Sequence, residues 1–371
     1  MEKFNSLIVR YSEIGLKTSH VRRKMEKILM RNLEEAYRNE GVHFTKVMKR
    51  ASRIVAYTSD PKVREVTKLV FGVKSFSPAL EVASDLNVMK SAALHVASGK
   101  EGSFAVRVQR VTKEFPTTSV EIAKVIGAEI KERTGRRVNL NEPDQEIIIE
   151  IVGKKAYVTD ERIEGYGGLP VGTQGKALAL ISSGIDSPVA AWLMMKRGAQ
   201  IIPVHFRKTN EEEKGFREII SVLRRFSYGV KFEPLIIEHG SALAEFAERG
   251  AREWLCLLCK RRMLVLANKL AKQVGANAII TGDSLGQVAS QTLENLEVES
   301  RCLEKPVLRP LIGMHKDEIV RIAKEIGTYE VSIAHDITCP FIPKKPKTKG
   351  RWKSFVKIAE KVGATDLLDV C

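Results

Sequence analysis

The stretch Ala177–Pro188, ALALISSGIDSP, decides the fold. Its first five residues, Ala177–Ile181, are apolar and uncharged, which predicts a buried strand of a parallel sheet. A helix is predicted to follow from Pro188 to Arg197, with Ser187 as its N-cap and Gly198 at its end. The small residues between strand and helix predict an anion site, because the first amides of a helix have no partner inside it. An ordinary connection between a strand and a helix is the alternative interpretation.

Strands and helices alternate along the rest of this half, which predicts a doubly wound parallel sheet. The predicted strands are Gln200–Phe206, Val230–Ile237 and Ala276–Thr281. The predicted helices are Glu211–Phe226, a long segment Ala242–Val274 broken near Gly250, and a helix that follows Gly282-Asp283-Ser284 and runs through Leu296. Ligands of such sheets bind beyond the carboxyl ends of the strands, so we expect His205-Phe206 and Gly282-Asp283 at the edge that holds the anion loop.

The N-terminal half predicts two small units that mix strands and helices. The first has the order β-α-β-β-α of a ferredoxin-like unit, with strands Leu7–Tyr11, Val42–Met48 and Arg53–Tyr57 and helices Ser19–Asn39 and Pro61–Phe71. In the second, Thr118 and Glu121 have the spacing of a capping box, and a helix is predicted to run from there to Arg133. A hairpin of Gln145–Val152 and Ala156–Thr159 is predicted to follow.

The composition predicts a soluble globular protein with an anionic partner. The chain has 371 residues, of which 44% are hydrophobic and 29% charged, and its net charge is +16. Nucleic acid is the simplest such partner, and a lysine-rich surface tuned for solubility is the alternative. No apolar run is long enough to span a bilayer and the N-terminus has no signal-peptide pattern, so the cytoplasm is expected. The five cysteines are an odd number and do not predict a disulfide framework.

Four separated segments carry a resemblance to one family. Ser182–Ser187 resembles the Ser-Gly-Gly-x-Asp-Ser loop of PP-loop ATP pyrophosphatases, with Ser183 in place of the first glycine. Thr281–Thr292 is similar to the Thr-Gly-Glu/Asp-x-x-Gly-Gln-x-x-Ser-Gln-Thr segment of tRNA 4-thiouridine synthetases. Gly165–Gly172 is typical of their linker between a THUMP domain and a PP-loop domain, and Arg309-Pro310-Leu311 completes the order. The chain is therefore identified as a member of the tRNA 4-thiouridine synthetase (ThiI) family.

This resemblance implies an α/β chain with three domains. The domains are a ferredoxin-like domain at 1–58, an α+β THUMP RNA-binding domain at 59–164 and a doubly wound parallel-sheet PP-loop domain at 177–371. A linker at 165–176 joins the second domain to the third. The implied activity is ATP-dependent transfer of sulfur to uridine 8 of tRNA, which gives 4-thiouridine through an adenylated uridine and releases AMP and diphosphate. Sulfur transfer to a ThiS-like carrier protein for thiamine synthesis is a second implied role. An RNA-binding protein with a degenerate nucleotide site is the alternative, and Ser183 favours it.

The resemblance also places ATP along the strand ends, with Mg²⁺ as the counter-ion of its phosphates. Asp186 is implied in the adenylation step. The implied ATP-binding residues are Leu180, Ile181, Ser182, Ser183, Gly184, Ser187, His205, Phe206, Lys260, Gly282 and Gln291. Packing at the strand end is the alternative interpretation of His205 and Phe206.

Three cysteines are the predicted sulfur-handling residues. Cys256 and Cys259 lie three apart in a predicted helix and so share one face, and Cys339 matches the family position of a cysteine that accepts persulfide sulfur. Without the rhodanese-like domain of bacterial members, we expect these three to hold an iron–sulfur cluster, as in the archaeal form of the family. Zinc is the second interpretation, and a Cys256–Cys339 persulfide relay is the third. Cys302 and Cys371 are expected to be dispensable.

The expected partners follow from the same resemblance. They are tRNA, a sulfur donor that is either sulfide or a cysteine desulfurase, and the ThiS-like carrier, with no membrane and with a homodimer left open. The basic segment 343–351 predicts either contact with tRNA phosphates or a solvated loop.

Overall fold

The computed structural model describes residues 4–335 and 338–368, and it divides into two units, Met1–Pro170 and Val171–Cys371. The strands of the first unit are β1 Ser6–Arg10, β2 Lys46–Arg50, β3 Arg53–Tyr57, β4 Ser75–Ala83, β5 Phe104–Arg110, β6 Gln145–Val152, β7 Lys155–Thr159 and β8 Ile163–Glu164. Its helices are α1 Ser19–Asn39, α2 Val63–Lys68, α3 Leu86–Ala97 and α4 Ser119–Thr134. The predicted β-α-β-β-α order of the ferredoxin-like unit is confirmed.

One sheet runs through this first unit in the order β2-β3-β1-β4-β7-β6-β5, and β8 adds to β4. The long strand β4 joins its two parts, because residues Ser75–Ala79 pair with β1 and residues Leu80–Ala83 pair with β7. Helices α3 and α4 pack their apolar faces on β5, β6 and β7, where Ile126 and Ile147 are fully buried. The ferredoxin-like and THUMP elements therefore share a continuous sheet.

The predicted capping box of α4 is confirmed. The Thr118 hydroxyl accepts a hydrogen bond from the Glu121 amide at 3.3 Å, and the Glu121 carboxylate accepts one from the Thr118 amide at 2.9 Å. Gly135 ends the helix in the left-handed conformation, with φ 69°. Local sequence chemistry thus fixes both ends of this helix.

The second unit is a parallel α/β domain, as predicted. Its strands are β9 Lys176–Leu180, β10 Gln200–Arg207, β11 Leu235–Glu238, β12 Ala278–Ile280 and β13 Val307–Leu308. Its helices are α5 Asp186–Lys196, α6 Asn210–Arg224, α7 Gly240–Glu248, α8 Leu255–Val274, α9 Leu293–Ser300, α10 Lys316–Ile326, α11 Tyr329–Ala334 and α12 Trp352–Lys361. In the described part of the chain, no helix combines the length and the apolarity needed to cross a bilayer.

The strand order β11-β10-β9-β12-β13 positions the site, and all four pairings are parallel. From β9 the chain moves outward to β10 and β11, and then returns to β12 on the other side of β9. The loops that follow β9 and β12 therefore diverge, which opens a crevice between them at the carboxyl edge. Leu178 and Ile279 lie beneath it in the core, against Leu264 and Ala267 of α8.

Two predictions about the crevice loops are wrong. Helix α5 begins at Asp186 rather than Pro188, and Ser187 is not its N-cap, because its hydroxyl accepts a hydrogen bond from the Ser182 amide at 2.9 Å instead. The helix predicted after Ser284 and through Leu296 is replaced by turns as far as Thr292, whose hydroxyl caps α9. In both places a hydroxyl accepts a hydrogen bond that the hydrophobic periodicity of the sequence cannot reveal: Ser187 from the Ser182 amide, and Thr292 from the Asn295 amide.

Elements distant from the crevice also differ in length. The predicted strand Val230–Ile237 is confined to β11, Leu235–Glu238, and the predicted break of the long helix near Gly250 is confirmed between α7 and α8. The segment that matches the family around Cys339 is Asp336–Phe341; its first two residues, Asp336 and Ile337, lie outside the described residues, and so does Cys371.

Candidate active site

The loop between β9 and α5 is closed by its own hydroxyl groups. The Ser187 hydroxyl accepts a hydrogen bond from the Ser182 amide at 2.9 Å. The Ser182 hydroxyl lies 3.1 Å from the Ser187 hydroxyl and accepts a hydrogen bond from the Gly184 amide at 3.3 Å. Gly282, at the end of β12, abuts the start of α5, since a Cβ atom there would lie 2.7 Å from both the N and the Cα of Ser187. The glycine therefore lets the two crevice loops meet at the N-terminus of α5, where unpaired amides attract anions.

A cavity of about 290 Å³ opens in front of this loop. Most of the predicted site residues line it, namely Leu180, Ile181, Ser182, Gly184, Asp186, Ser187, His205, Phe206, Lys260 and Gly282. Ser183 and Gln291 do not line the cavity. Ser183 is buried against Gly215 of α6, and the Gln291 amide donates a hydrogen bond to the Asp283 carboxylate at 3.4 Å.

Ser183 fits the loop without backbone strain. Among the described non-glycine residues, only Ala51 and Cys302 have positive φ angles, so the backbone at Ser183 is open to any L-residue. Space for its side chain comes from Gly215, where a Cβ atom would lie 2.8 Å from the Cβ of Ser183. The family glycine is thus replaced at a position where a serine meets no steric obstacle.

Three lysines surround the loop, and each is held by a carboxylate. Lys208 lies 2.8 Å from Glu212, Lys260 lies 2.9 Å from Asp283, and Lys316 lies 2.6 Å from Asp186. Burial disfavours the charged form of Lys260, but Glu299 and Asp283 outweigh it and raise the pKa of Lys260. The pKa of Lys208 is likewise raised, because Glu212 and nearby thiols outweigh its burial. The ammonium groups of Lys208 and Lys260 therefore stay charged and can stabilise phosphate oxygens.

Asp186 stands in the first turn of α5 and makes two contacts. One carboxylate oxygen pairs with Lys316, and the other accepts a hydrogen bond from the Gln287 amide at 2.8 Å. Lys316 belongs to α10 and Gln287 to the loop after β12, so Asp186 ties three separate segments together at the cavity wall.

Glu299 is an isolated acid in the cavity wall. Its side chain is 1% exposed, and neither of its oxygens has a hydrogen-bond partner within the described residues. The nearest cation is the Lys260 ammonium, at 4.0 Å. Burial raises the pKa of Glu299 to about 8, while Lys260 opposes the shift. Near neutral pH this group can therefore hold a proton.

His205 and Phe206, two of the implied ATP-binding residues, line the cavity and also make contacts within the fold. The Ile181 carbonyl can only accept, so at 3.0 Å it takes a hydrogen bond from His205 Nδ1. The His205 ring stacks on Phe216 at 4.5 Å, and burial lowers its pKa, which keeps it neutral. Phe206 meets the ring of His239 edge-on at 5.5 Å. Both interpretations of these strand-end residues are thus compatible with one geometry.

The three predicted cysteines share a neighbourhood beside the cavity. Burial raises the pKa of Cys259 to about 12; Lys208 opposes this shift, and Cys339 and Cys256 add to it. Burial and Cys339 also raise the pKa of Cys256. All three thiols are free. Within the described residues, however, no three His, Cys, Asp or Glu side chains are placed so that they could hold a metal ion as they stand.

Sequence reasoning assigned no role to several polar and charged residues of the site, namely Lys208, Asp283, Gln287, Glu299, Arg309 and Lys316, although it expected Asp283 at the strand ends. Asp283 and Gln287 lie inside the segment 281–292 that carried the resemblance, so the segment itself was the signal. Arg309, which lies 3.3 Å from Asp283, was quoted as a match without a role. Cys302, expected to be dispensable, is disulfide-bonded.

Profiles of three protein families together match almost the whole chain. The profile described as thiamine biosynthesis protein (ThiI) matches residues 172–364. The profile of the ThiI ferredoxin-like domain matches residues 6–77, and that of the THUMP domain matches residues 85–161.

Individual proteins are similar over the same extent. The probable tRNA sulfurtransferase of Thermococcus kodakarensis is 44% identical over 368 residues, which cover 96% of this chain and 96% of that protein. The probable tRNA sulfurtransferase of Methanocaldococcus jannaschii is 41% identical over 370 residues, which cover 96% of this chain and 97% of that protein. A crystal structure of a 4-thiouridine synthetase–RNA complex with bound ATP matches with a TM-score of 0.88 and 35% identity, over 99% of this chain and 96% of that one.

Proposed function

The chain belongs to the tRNA sulfurtransferase (ThiI) family, and from that membership we propose how its cavity and its cysteines replace a uridine oxygen of tRNA with sulfur at the cost of ATP. The observation that carries the proposal is the cavity at the crevice of the parallel sheet, where the N-terminus of α5 and two lysines converge. Position 8 of tRNA is the target that the family implies.

ATP is proposed to bind with its phosphates on the closed loop. The amides at the start of α5 would donate hydrogen bonds to the phosphate oxygens, and the ammonium groups of Lys208 and Lys260 would neutralise the phosphate charge. The apolar part of the cavity, at Leu180 and Phe206, would take the adenine. Mg²⁺ is the proposed counter-ion, since it binds phosphates together with one or two carboxylates, and Asp186 is the carboxylate nearest to the helix end.

The chemistry is proposed to proceed through an adenylated uridine. The O4 atom of uridine attacks the α-phosphorus, a bond from O4 to phosphorus forms, the bond to diphosphate breaks, and the proton on uridine N3 is lost. Hydrosulfide (HS⁻) then attacks C4, AMP leaves with the former O4, and the proton of the hydrosulfide passes to N3, which gives 4-thiouridine. Lys208 and Lys260 stabilise the charge that grows on the departing diphosphate, while Asp186 orients Lys316 beside it.

Cys256, Cys259 and Cys339 are proposed to supply the sulfur. The donor set fits an iron–sulfur cluster chemically, because three free thiols lie close enough to affect one another's pKa and thiolates are the ligands that iron–sulfur clusters and zinc prefer. A cluster held by three cysteines would leave one iron position for the sulfide that is transferred. The alternatives, zinc and a persulfide relay between Cys256 and Cys339, use the same residues.

The partners divide into one that the family establishes and others that stay predictions. tRNA is the macromolecular substrate, and the predicted THUMP and ferredoxin-like elements would bind it. Sulfide or a cysteine desulfurase as donor, the ThiS-like carrier, the homodimer and the cytoplasmic location stay predictions from the sequence. The alternative of a degenerate nucleotide site rested on Ser183, whose backbone is unstrained.

The substitution Asp186→Asn tests the proposed site. We expect about a 100-fold loss of 4-thiouridine, the usual scale for removing one interaction that stabilises a transition state, when tRNA is incubated with ATP and sulfide and its nucleosides are analysed by mass spectrometry. Asp317→Asn is the matched control, because the Asp317 side chain is 91% exposed and lies outside the cavity. Full activity of Asp186→Asn, or equal losses in both variants, would remove the basis of the proposal.

A further inference from the structure

His239 is a buried residue that the proposed ATP chemistry does not use. It lies at the start of α7 with a fully buried side chain. Its Nε2 atom is 3.2 Å from the sulfur of Cys259, and its Nδ1 atom is 2.6 Å from a guanidinium nitrogen of Arg262. One imidazole therefore bridges two side chains of α8, which lie three residues apart and so share a helix face.

The identity of these partners fixes the position of the imidazole proton. A guanidinium group donates hydrogen bonds and cannot accept them, so His239 Nδ1 must be the acceptor of the bond from Arg262. A neutral imidazole with an unprotonated Nδ1 carries its hydrogen on Nε2. That hydrogen lies toward the Cys259 sulfur at 3.2 Å, and the sulfur therefore accepts a hydrogen bond.

The ring is also held in place from its side. Phe206 meets it edge-on, with 5.5 Å between the ring centroids and 72° between the planes. Phe206 lines the cavity proposed for ATP, so a single aromatic contact separates that cavity from the histidine that contacts the cysteine group. The orientation of the Nε2–H bond toward sulfur is thereby fixed from three sides, by Arg262, Phe206 and Cys259.

We propose that His239 is the positioning residue of Cys259, with Arg262 selecting the tautomer in which His239 donates to the sulfur. This inference rests on the proposed function in that it takes Cys259 as one of the sulfur-handling cysteines. A donor aimed at a thiolate orients it and stabilises its charge when it binds a metal or a cluster, and residues of this kind usually change metal affinity 10- to 100-fold when removed. His239 is not itself a ligand in this account.

The first test reads the tautomer directly in the metal-free full-length protein. Imidazole ¹⁵N chemical shifts distinguish a protonated from an unprotonated ring nitrogen, and the signals of His239 are assigned by their loss in His239→Gln. We expect the Nε2–H tautomer at neutral pH in the parent and a mixture of tautomers in Arg262→Leu, which lacks the selecting donor. An Nδ1–H tautomer in the parent would overturn the inference.

The second test measures affinity for Co²⁺, whose charge-transfer absorption with thiolates reports binding to the cysteines. We expect His239→Leu to bind Co²⁺ about 10- to 100-fold more weakly than the parent, and His239→Gln, which retains an N–H at the same distance along the side chain, to restore most of the affinity. Equal affinity of His239→Leu and the parent, or equal weakness of the leucine and glutamine variants, would contradict the proposal.

Folding and function are controlled separately. Binding of ATP shows whether each variant is folded, and if His239→Leu fails this check, Arg262→Leu takes its place and should weaken Co²⁺ binding in the same direction; unchanged affinity there would contradict the proposal. If the parent itself takes up no Co²⁺, the three-cysteine metal site of the proposed function is wrong, while the ¹⁵N measurement still decides whether His239 donates to Cys259.

Discussion

Replacing Glu299 with glutamine tests the buried acid in the cavity wall. Burial disfavours the carboxylate and raises the pKa of Glu299 from its ordinary value of 4.5 to about 8 in the folded protein. Between these values the folded protein binds the proton more tightly than the unfolded chain does. The contribution of Glu299 to the free energy of unfolding is therefore most favourable below pH 4.5 and falls as the pH rises toward 8. Above pH 8 Glu299 is ionised in the folded protein as well, and the folded protein then carries the full free-energy cost of the buried charge.

The magnitude follows from the size of the shift. At 1.36 kcal/mol for each pKa unit, the change from 4.5 to about 8 corresponds to about 5 kcal/mol as an upper bound. Glutamine cannot ionise, so Glu299→Gln should escape this loss. A buried amide without partners costs about 1–3 kcal/mol, but that cost does not vary with pH. We therefore expect the stability of the variant relative to the parent to rise by about 3–5 kcal/mol between pH 5 and pH 9.

Urea unfolding, followed by tryptophan fluorescence, measures this difference in the second unit, Val171–Cys371, which contains Glu299. The three tryptophans, Trp192, Trp254 and Trp352, all lie in the second unit, so the signal reports that unit alone. Glu297→Gln is the matched control, because it lies on the same helix with its side chain 71% exposed, and it should give a difference that is independent of pH. Parallel pH profiles for Glu299→Gln and the parent would refute the reasoning.

Three further substitutions test close packing and capping. Gly282→Ala places a Cβ atom 2.7 Å from the Ser187 backbone and should cost about 1–3 kcal/mol in urea unfolding and weaken ATP binding, whereas Gly313→Ala, which meets no described atom within 4 Å, should change neither. Gly215→Ala would crowd Ser183 and His335, at 2.8 and 2.7 Å, so calorimetry should show weaker ATP binding; unchanged affinity would mean that the loop adapts freely. Thr118→Ala removes the capping box of α4 and should cost about 1 kcal/mol, seen as faster amide exchange in the first turn, and unchanged exchange would contradict this.

Local chemistry explains which elements the sequence predicts well. The bounds of α1, Ser19–Asn39, follow from helical periodicity alone, and the start of α4 follows from the Thr118–Glu121 spacing. The parallel sheet and its crevice follow from the alternation of strands and helices, which needs no knowledge of contacts. These features depend on residues that are near one another in the chain.

The rest depends on partners that are distant in sequence. Ser187 has the preference of an N-cap, but its hydroxyl bonds the Ser182 amide, and only the folded loop shows this. Glu299 lies in an acid-rich segment, and nothing in its local sequence indicates that the fold buries it. Lys316 reaches Asp186 across 130 positions, a pairing that no local pattern encodes. The family resemblance supplied part of the site because it carries tertiary information that periodicity lacks.

Strand β4 has a practical consequence for anyone who dissects the RNA-handling half. The matched ferredoxin-like and THUMP segments end at residue 77 and begin at residue 85, and Ser75–Ala83 occupies the interval between them. A fragment cut at these limits would remove β4 from the side of β7 opposite β6 and leave an open edge that can recruit another chain. Chimeras that exchange either module should therefore carry the whole strand with them, or be expected to aggregate.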